Sequence, residues 1–318
     1  MPQAPAYTRR AALGLTAATA LTACAPAPSP DTPARTKPLG RLLNVRGRRV
    51  HAWQQGRGPD VILVHGASAN LRDFTFSLAG QLAQRYRVTA FDRPGLGYSE
   101  PLNPRGDSPA AQAAQLDAAA VQMGIGRAVV VGHSYGAAVA MAWALNRPAR
   151  LAGVVALAGV TMPWPDGMLP AWYGIAASGL GSALVSAFVT EGAARRALPR
   201  FFAPQPVPQG YADYIGLDLA LNPATLRASA GQVDSLRPAL AEMAARYPSL
   251  RIPVEVLHGS ADRIVGLEIH ARRLAATLPD ARLTELRGVG HMVHHAAPRA
   301  TRAAIDRAVA RGGLRRRA

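Results

Sequence analysis

Gly132-His133-Ser134-Tyr135-Gly136 lies between an apolar strand-like run, Ala128 to Val131, and a helical stretch from Ala137 to Leu145. This G-x-S-x-G segment constrains the chain more than any other. A strand must turn into a helix within a few residues, and glycine at both ends lets neighbouring backbone crowd the turn. The turn lifts the Ser134 hydroxyl above the end of a sheet and aims a helix N-terminus at it. In that setting the serine reads as a nucleophile.

The sequence supplies the sheet that such a turn needs. Leu42 to Val45 and Val50 to Trp53 read as a hairpin around Arg46-Gly47-Arg48. Val61 to Val64, Val88 to Phe91, Leu151 to Leu157, Pro253 to Leu257 and Arg282 to Leu286 read as further strands. Helices are expected over Leu71 to Gln84, Pro109 to Met123, Leu267 to Leu278 and Pro298 to about Arg311. Strand–helix alternation of this length predicts an α/β fold, a mostly parallel sheet with helices on both faces. Hydrophobic residues make up 49% of the 318 and charged residues 17%, enough for a sizeable core and too apolar for global disorder. Residues 161–235 interrupt the alternation with prolines, aromatics and helical stretches but no evident strand. A long insertion between sheet strands predicts a helical cap over the site, with the core formed by residues 39–160 and 236–318.

With its elbow in this context, the chain resembles the α/β-hydrolase superfamily from residue 39 to the end. Three more segments carry the resemblance. His65-Gly66-Ala67-Ser68 follows a strand. The resemblance implies that the Ala67 N–H and the Tyr135 N–H form an oxyanion hole, with Ser68 a further candidate donor. Asp92-Arg93-Pro94-Gly95-Leu96-Gly97-Tyr98-Ser99 resembles the D-x-P-G-x-G-x-S loop of capped members. It reads as scaffold, with Asp92 binding loop amides. Asp262, just past a strand, and His291 in Gly288-Val289-Gly290-His291 match the acid and histidine loops. The chain order Ser134, Asp262, His291 is the one this fold requires. The implied roles are nucleophile, orienting acid and base.

Other histidines and acids compete for these roles. His294 and His295 are near His291 but lack its preceding Gly-Val-Gly; His258 reads as the end of its strand; His133 reads as pocket lining or core; Asp234 lies at the cap junction. Met162, Trp164, Trp172, Tyr173 and Phe188 are candidates for an apolar substrate lining. Serine at the elbow argues against the haloalkane dehalogenases and epoxide hydrolases, which use aspartate there. There is no G-x-G-x-x-G dinucleotide loop, no P-loop and no metal-spaced histidine cluster beyond the triad loop, so neither a cofactor nor a metal is expected.

The reading is therefore a serine hydrolase acting on small apolar esters. Carbon–carbon bond, lactone or amide hydrolysis, acyl transfer and perhydrolysis stay open on the same triad, as does a non-catalytic binding protein on the same fold.

The N-terminus reads as an address. Arg9-Arg10, a short apolar run from Ala11 to Ala23, and Leu21-Thr22-Ala23-Cys24 resemble a bacterial lipoprotein signal, with the chain's one cysteine at the acylated position. Residues 1–23 are then a signal peptide and the Pro-rich residues 24–38 a tether. Export and attachment to a bacterial membrane through Cys24 follow, at the outer membrane in a cell that has one. The net charge is +17, almost entirely from arginine, and its one cluster is the C-terminal run to Arg317. No aromatic is interleaved there, so a nucleic-acid partner is not expected, whereas an anionic surface is.

Overall fold

The computed structural model describes residues 36–103, 107–165 and 190–314. Cys24, Trp172, Tyr173, Phe188 and the terminal arginines 315–317 lie outside the described residues, as does the signal with most of the tether.

An eight-stranded sheet runs in the order β1 (Arg41–Val45), β2 (Arg48–Gln55), β4 (Arg87–Phe91), β3 (Asp60–Val64), β5 (Ala128–His133), β6 (Leu151–Leu157), β7 (Val254–Gly259), β8 (Ala281–Leu286). The pairs β1–β2 and β2–β4 are antiparallel, and every other pair is parallel. β3, β5, β6 and β7 are buried along their whole length, as strands covered on both faces must be. Alternation along β3 divides the core. Ile62 and Val64 pack in one cluster with α3 (Pro109–Gln122), α4 (Tyr135–Asn146) and α9 (Leu236–Arg246). Val61 and Leu63 pack in another with α1 (Arg72–Thr75), α2 (Leu78–Leu82) and α12 (Pro298–Arg311).

The strands fall where alternation placed them, within one residue at each end except at both ends of β2 and the C-terminal ends of β5 and β7, each of which runs two residues further. β5 runs past Gly132 to His133 because His133 still pairs with Leu157. The single helix expected over 71–84 is two short ones, since Ser77 leaves helical geometry at φ −152°. Leu71, Phe74, Leu78 and Leu82 nevertheless share one cluster, so the apolar spacing survives the break. The helix expected over 267–278 opens with a π-helical turn at Leu267–Arg272 before α10 (Arg273–Thr277).

In the described part of the insertion, α5 (Glu191–Phe202), α6 (Tyr211–Tyr214), α7 (Leu217–Ala220) and α8 (Pro223–Asp234) follow one another. Phe202, Tyr211 and Met292 form a small apolar cluster with Phe76, Leu198, Val207 and Ile215, joining these helices to the segment after β8 that leads into α11 (Val293–Ala296). Among the described residues no helix is long and apolar enough to cross a membrane.

One buried charge holds the far side of the sheet. Glu255 in β7 is fully buried and meets Arg307 at 2.7 Å and Arg311 at 2.6 Å, both from α12. Glu255→Leu leaves two half-covered cations facing a strand. It is expected to cost about 2 kcal/mol, less than a fully buried pair because the arginines reach solvent. A lower urea midpoint at unchanged slope checks this.

Candidate active site

β5 delivers its last residue, His133, to the sheet end, and α4 starts at Tyr135. Ser134 between them has φ 52° and ψ −118°, a backbone region that a side chain enters at a cost. Three backbone bonds hold it there: its N–H donates to the Leu157 carbonyl at 2.9 Å, and its carbonyl accepts from Ala137 and Val160, each at 3.1 Å. The flanking glycines are needed for space. A β-carbon on Gly136 would be driven into the Val64 carbonyl, and one on Gly132 into the Gly136 carbonyl. Gly136→Ala is expected to cost about 3 kcal/mol, because the atom in the way is backbone that cannot turn aside. A lower midpoint of thermal unfolding measures it.

Asp262 sits in the loop after β7, and His291 in the loop after β8. His291 Nδ1 lies 2.8 Å from Asp262 Oδ2. A carboxylate accepts only, so Nδ1 carries the proton and Nε2 keeps its lone pair. The other carboxylate oxygen takes the Ile264 N–H at 2.8 Å and the Val265 N–H at 3.0 Å. Burial pushes the Asp262 carboxyl up, but hydrogen bonds from His258 and His291 outweigh it and hold the group well below the usual carboxylate range. His258 is a strand residue of β7, as expected, yet its Nε2 also stands 3.2 Å from Asp262 Oδ2. Asp234 is exposed at the end of α8.

The histidine loop is held against the elbow. The His133 ring lies 4.8 Å from that of His291, and His133 Nε2 donates to the His291 carbonyl at 3.1 Å. Burial, with His294 and His291 nearby, keeps the His133 imidazole well below its ordinary value and therefore neutral. From the insertion, Gln205 brackets the same loop: its Nε2 donates to the Gly288 carbonyl at 2.8 Å and its Oε1 accepts the Gly290 N–H at 2.8 Å. Among the described residues the Ser134 hydroxyl has no hydrogen-bond partner. Contacts of this kind commonly tighten only when substrate binds.

The loop after β3 completes the site. A β-carbon on Gly66 would stand 3.2 Å from Ser134 Cβ, so this loop abuts Ser134. The next residue, Ala67, is exposed, and its N–H meets no protein acceptor among the described residues. Tyr135 opens α4, so its N–H belongs to the first turn, where the helix itself supplies no acceptor. Ser68 is instead tied to α8, its hydroxyl 2.9 Å from that of Ser229. Asp92 binds the loop amides of Leu71 (2.7 Å) and Tyr98 (2.8 Å) and the His51 ring at 2.7 Å. That is the scaffold role its motif implied.

Met162 and Trp164 are buried in the core cluster of α4 and α9. Trp164 packs edge-on to His270 at 4.8 Å. It also lines a surface groove with Pro163, Arg237, Pro238 and Ala241, a groove that Ser134, Asp262 and His291 do not line.

Sequence reasoning missed a buried polar group behind the histidine loop. Asp73 receives the Tyr211 hydroxyl at 2.8 Å and His295 Nε2 at 2.9 Å, with His294 Nε2 3.2 Å away. Burial pushes its carboxyl up, but His294 and His295 outweigh that and hold it well below the usual range. Ligand-type atoms of Asp73, His294 and His295 lie within 4.8 Å of one another, so this is the metal-capable group among the described residues. Nothing local marks it, since Asp73 and His295 are 222 positions apart.

The model of the alpha/beta hydrolase family matches residues 61–304. The chain belongs to that family. The pimeloyl-[acyl-carrier protein] methyl ester esterase of Chromobacterium violaceum is 32% identical over 254 residues, 74% of this chain and 88% of the esterase. The 2-hydroxymuconate semialdehyde hydrolase of Pseudomonas putida is 26% identical over 84% of this hydrolase chain and 93% of its own. Haloalkane dehalogenase 2 of Mycobacterium tuberculosis is 29% identical over 81% and 90%. Against two other relatives the hydrolase matches only a part: it spans 12% of polyketide synthase ThaQ of Burkholderia thailandensis and 35% of epoxide hydrolase B of Mycobacterium tuberculosis. Among solved structures, a thermophilic esterase from Thermogutta terrifontis superposes with a TM-score of 0.73 at 22% identity, covering 86% of this hydrolase and 99% of that chain.

Proposed function

We propose that this hydrolase cleaves carboxylic esters with an apolar part through an acyl-enzyme on Ser134. The observation that carries the reading is the 2.8 Å Asp262–His291 contact, in a loop packed on the residue before a strained serine. The relatives span several chemistries, and the serine at the elbow sets this chain apart from the dehalogenases and epoxide hydrolases among them, while carbon–carbon, lactone and amide hydrolysis use the same triad. Serine forms an ester with an acyl group, whereas the dehalogenases and epoxide hydrolases attack with an aspartate.

His291 Nε2 takes the Ser134 proton as Oγ adds to the ester carbonyl. The oxygen that becomes negative accepts the N–H groups of Ala67 and Tyr135. Collapse expels the alcohol, which takes its proton from His291. Water then attacks the acyl-enzyme with His291 again as base, and the acid leaves. Asp262 keeps the imidazole in the productive tautomer and stabilises its positive charge. The lipobox-like Leu21 to Cys24 supports anchoring of this enzyme to a membrane, and Cys24→Ala is expected to release it to the soluble fraction.

A fluorophosphonate probe on wild type and Ser134→Ala tests the reading, with p-nitrophenyl esters of rising chain length alongside. Labelling lost in the variant, with turnover rising from acetate to longer chains, is the expected result. An unlabelled, folded wild type overturns it in favour of a binding protein on a hydrolase scaffold.

A further inference from the structure

Arg93 is fully buried, and its hydrogen-bond partners are all neutral. Nε donates to the His65 carbonyl at 2.9 Å and Nη2 to the Gly66 carbonyl at 2.8 Å. Nη1 donates to Gln112 Oε1 and to Gln232 Oε1, both at 2.7 Å. The guanidinium also lies over the Tyr135 ring, 4.3 Å from its centroid. Burial lowers the group to about 10, so it stays cationic at neutral pH. A buried cation without a carboxylate partner is costly, and its position suggests what that cost serves.

The Gly66 carbonyl belongs to the peptide unit whose N–H is that of Ala67. That carbonyl takes a second donor, His65 Nδ1, at 2.9 Å. The tautomer is fixed because His65 Nε2 accepts the Arg93 N–H at 3.0 Å, leaving the ring proton on Nδ1. Two donors, one of them charged, thus pull on one end of a peptide whose other end carries the Ala67 N–H, in a loop that abuts Ser134. Hydrogen bonds in series polarise one another, so the Ala67 N–H becomes a stronger donor. The same guanidinium fixes the plane of that peptide through paired bonds to consecutive carbonyls, a geometry an ammonium cannot reproduce.

We infer that Arg93 is a positioning residue for the oxyanion site: it orients and polarises the Gly66–Ala67 peptide, packs beneath Tyr135, and through Gln232 ties both to cap helix α8. The inference rests on the reading of Ser134 as nucleophile and of the Ala67 and Tyr135 N–H groups as oxyanion donors. Charge on the carbonyl oxygen appears only in the transition state, so the effect falls on kcat and spares KM.

The test uses Arg93→Met and Arg93→Lys in the full chain. Active sites are counted by end-point fluorophosphonate titration, and kcat and KM for p-nitrophenyl butyrate are expressed per titrated site. Arg93→Met is expected to lose about 30-fold in kcat per site, a fraction of what deleting a whole oxyanion donor costs. Arg93→Lys, which keeps the charge but not the fork, is expected to lose about 10-fold. KM stays within twofold in both. A merely structural role lowers the number of titrated sites and leaves turnover per site unchanged. Turnover per site within twofold of wild type in Arg93→Lys overturns the inference, and that variant decides alone if Arg93→Met does not fold. An unlabelled wild type would instead remove the nucleophile reading itself.

Discussion

Ser134→Ala is expected to lower kcat for a p-nitrophenyl ester by about 10⁶-fold, the loss seen when the attacking atom of such a triad is removed. The fold should not notice. The strain at φ 52° belongs to the backbone and is shared by serine and alanine, and the serine hydroxyl has no hydrogen-bond partner among the described residues. Thermal midpoints of wild type and variant should agree within a few degrees, while activity and fluorophosphonate labelling both vanish. Residual turnover above about 1% of wild type would assign the nucleophile elsewhere, because a lost nucleophile leaves only the contribution of binding and the oxyanion donors.

Asp262→Asn is the second large effect, with kcat expected to fall by about 10⁴-fold at neutral pH. An amide at this position presents N–H groups to a ring nitrogen that must itself donate, so the imidazole turns its proton toward Ser134. The same substitution carries a pH signature. The folded-state value of Asp262 is depressed, so its pairing stabilises the fold at neutral pH and loses that contribution as the pH falls from the ordinary carboxylate range toward the folded-state value. Urea unfolding at pH 7 and at about pH 3 should therefore show a gap between wild type and Asp262→Asn that narrows in acid. A gap that widens in acid would contradict the depressed carboxyl.

What the sequence revealed and what it hid divide along chain distance. The elbow was legible because its demands are local: a β-carbon at Gly132 or Gly136 has nowhere to go, whatever the rest of the molecule does. Asp262 and His291 were legible through the short loops that carry them past their strands. Strand positions followed from apolar runs that the sheet buries on both faces. Arg93 was hidden, although it stands inside a segment read as scaffold, because its partners lie 19 to 139 positions away. The same holds for the His133 bond to the His291 carbonyl, across 158 positions. Gln205 carried no signal at all, being an ordinary polar residue in a stretch without motif. Helix breaks such as that at Ser77 were hidden for another reason: the apolar spacing on either side stays in phase, so the pattern of burial does not record the interruption.

Helix α8 gives the insertion a second property. Ala228, Ser229 and Gln232 occupy one face of it and touch, in turn, Gly95, Ser68 and Arg93. Gln205, farther back, grips the histidine loop. Engineers commonly treat such insertions as exchangeable modules that set substrate choice while the core keeps its chemistry. Here a transplanted insertion would arrive without the side chains that brace the loops after β3, β4 and β8. A chimera would need residues 205, 228, 229 and 232 carried over with the core, or selectivity and turnover would change together.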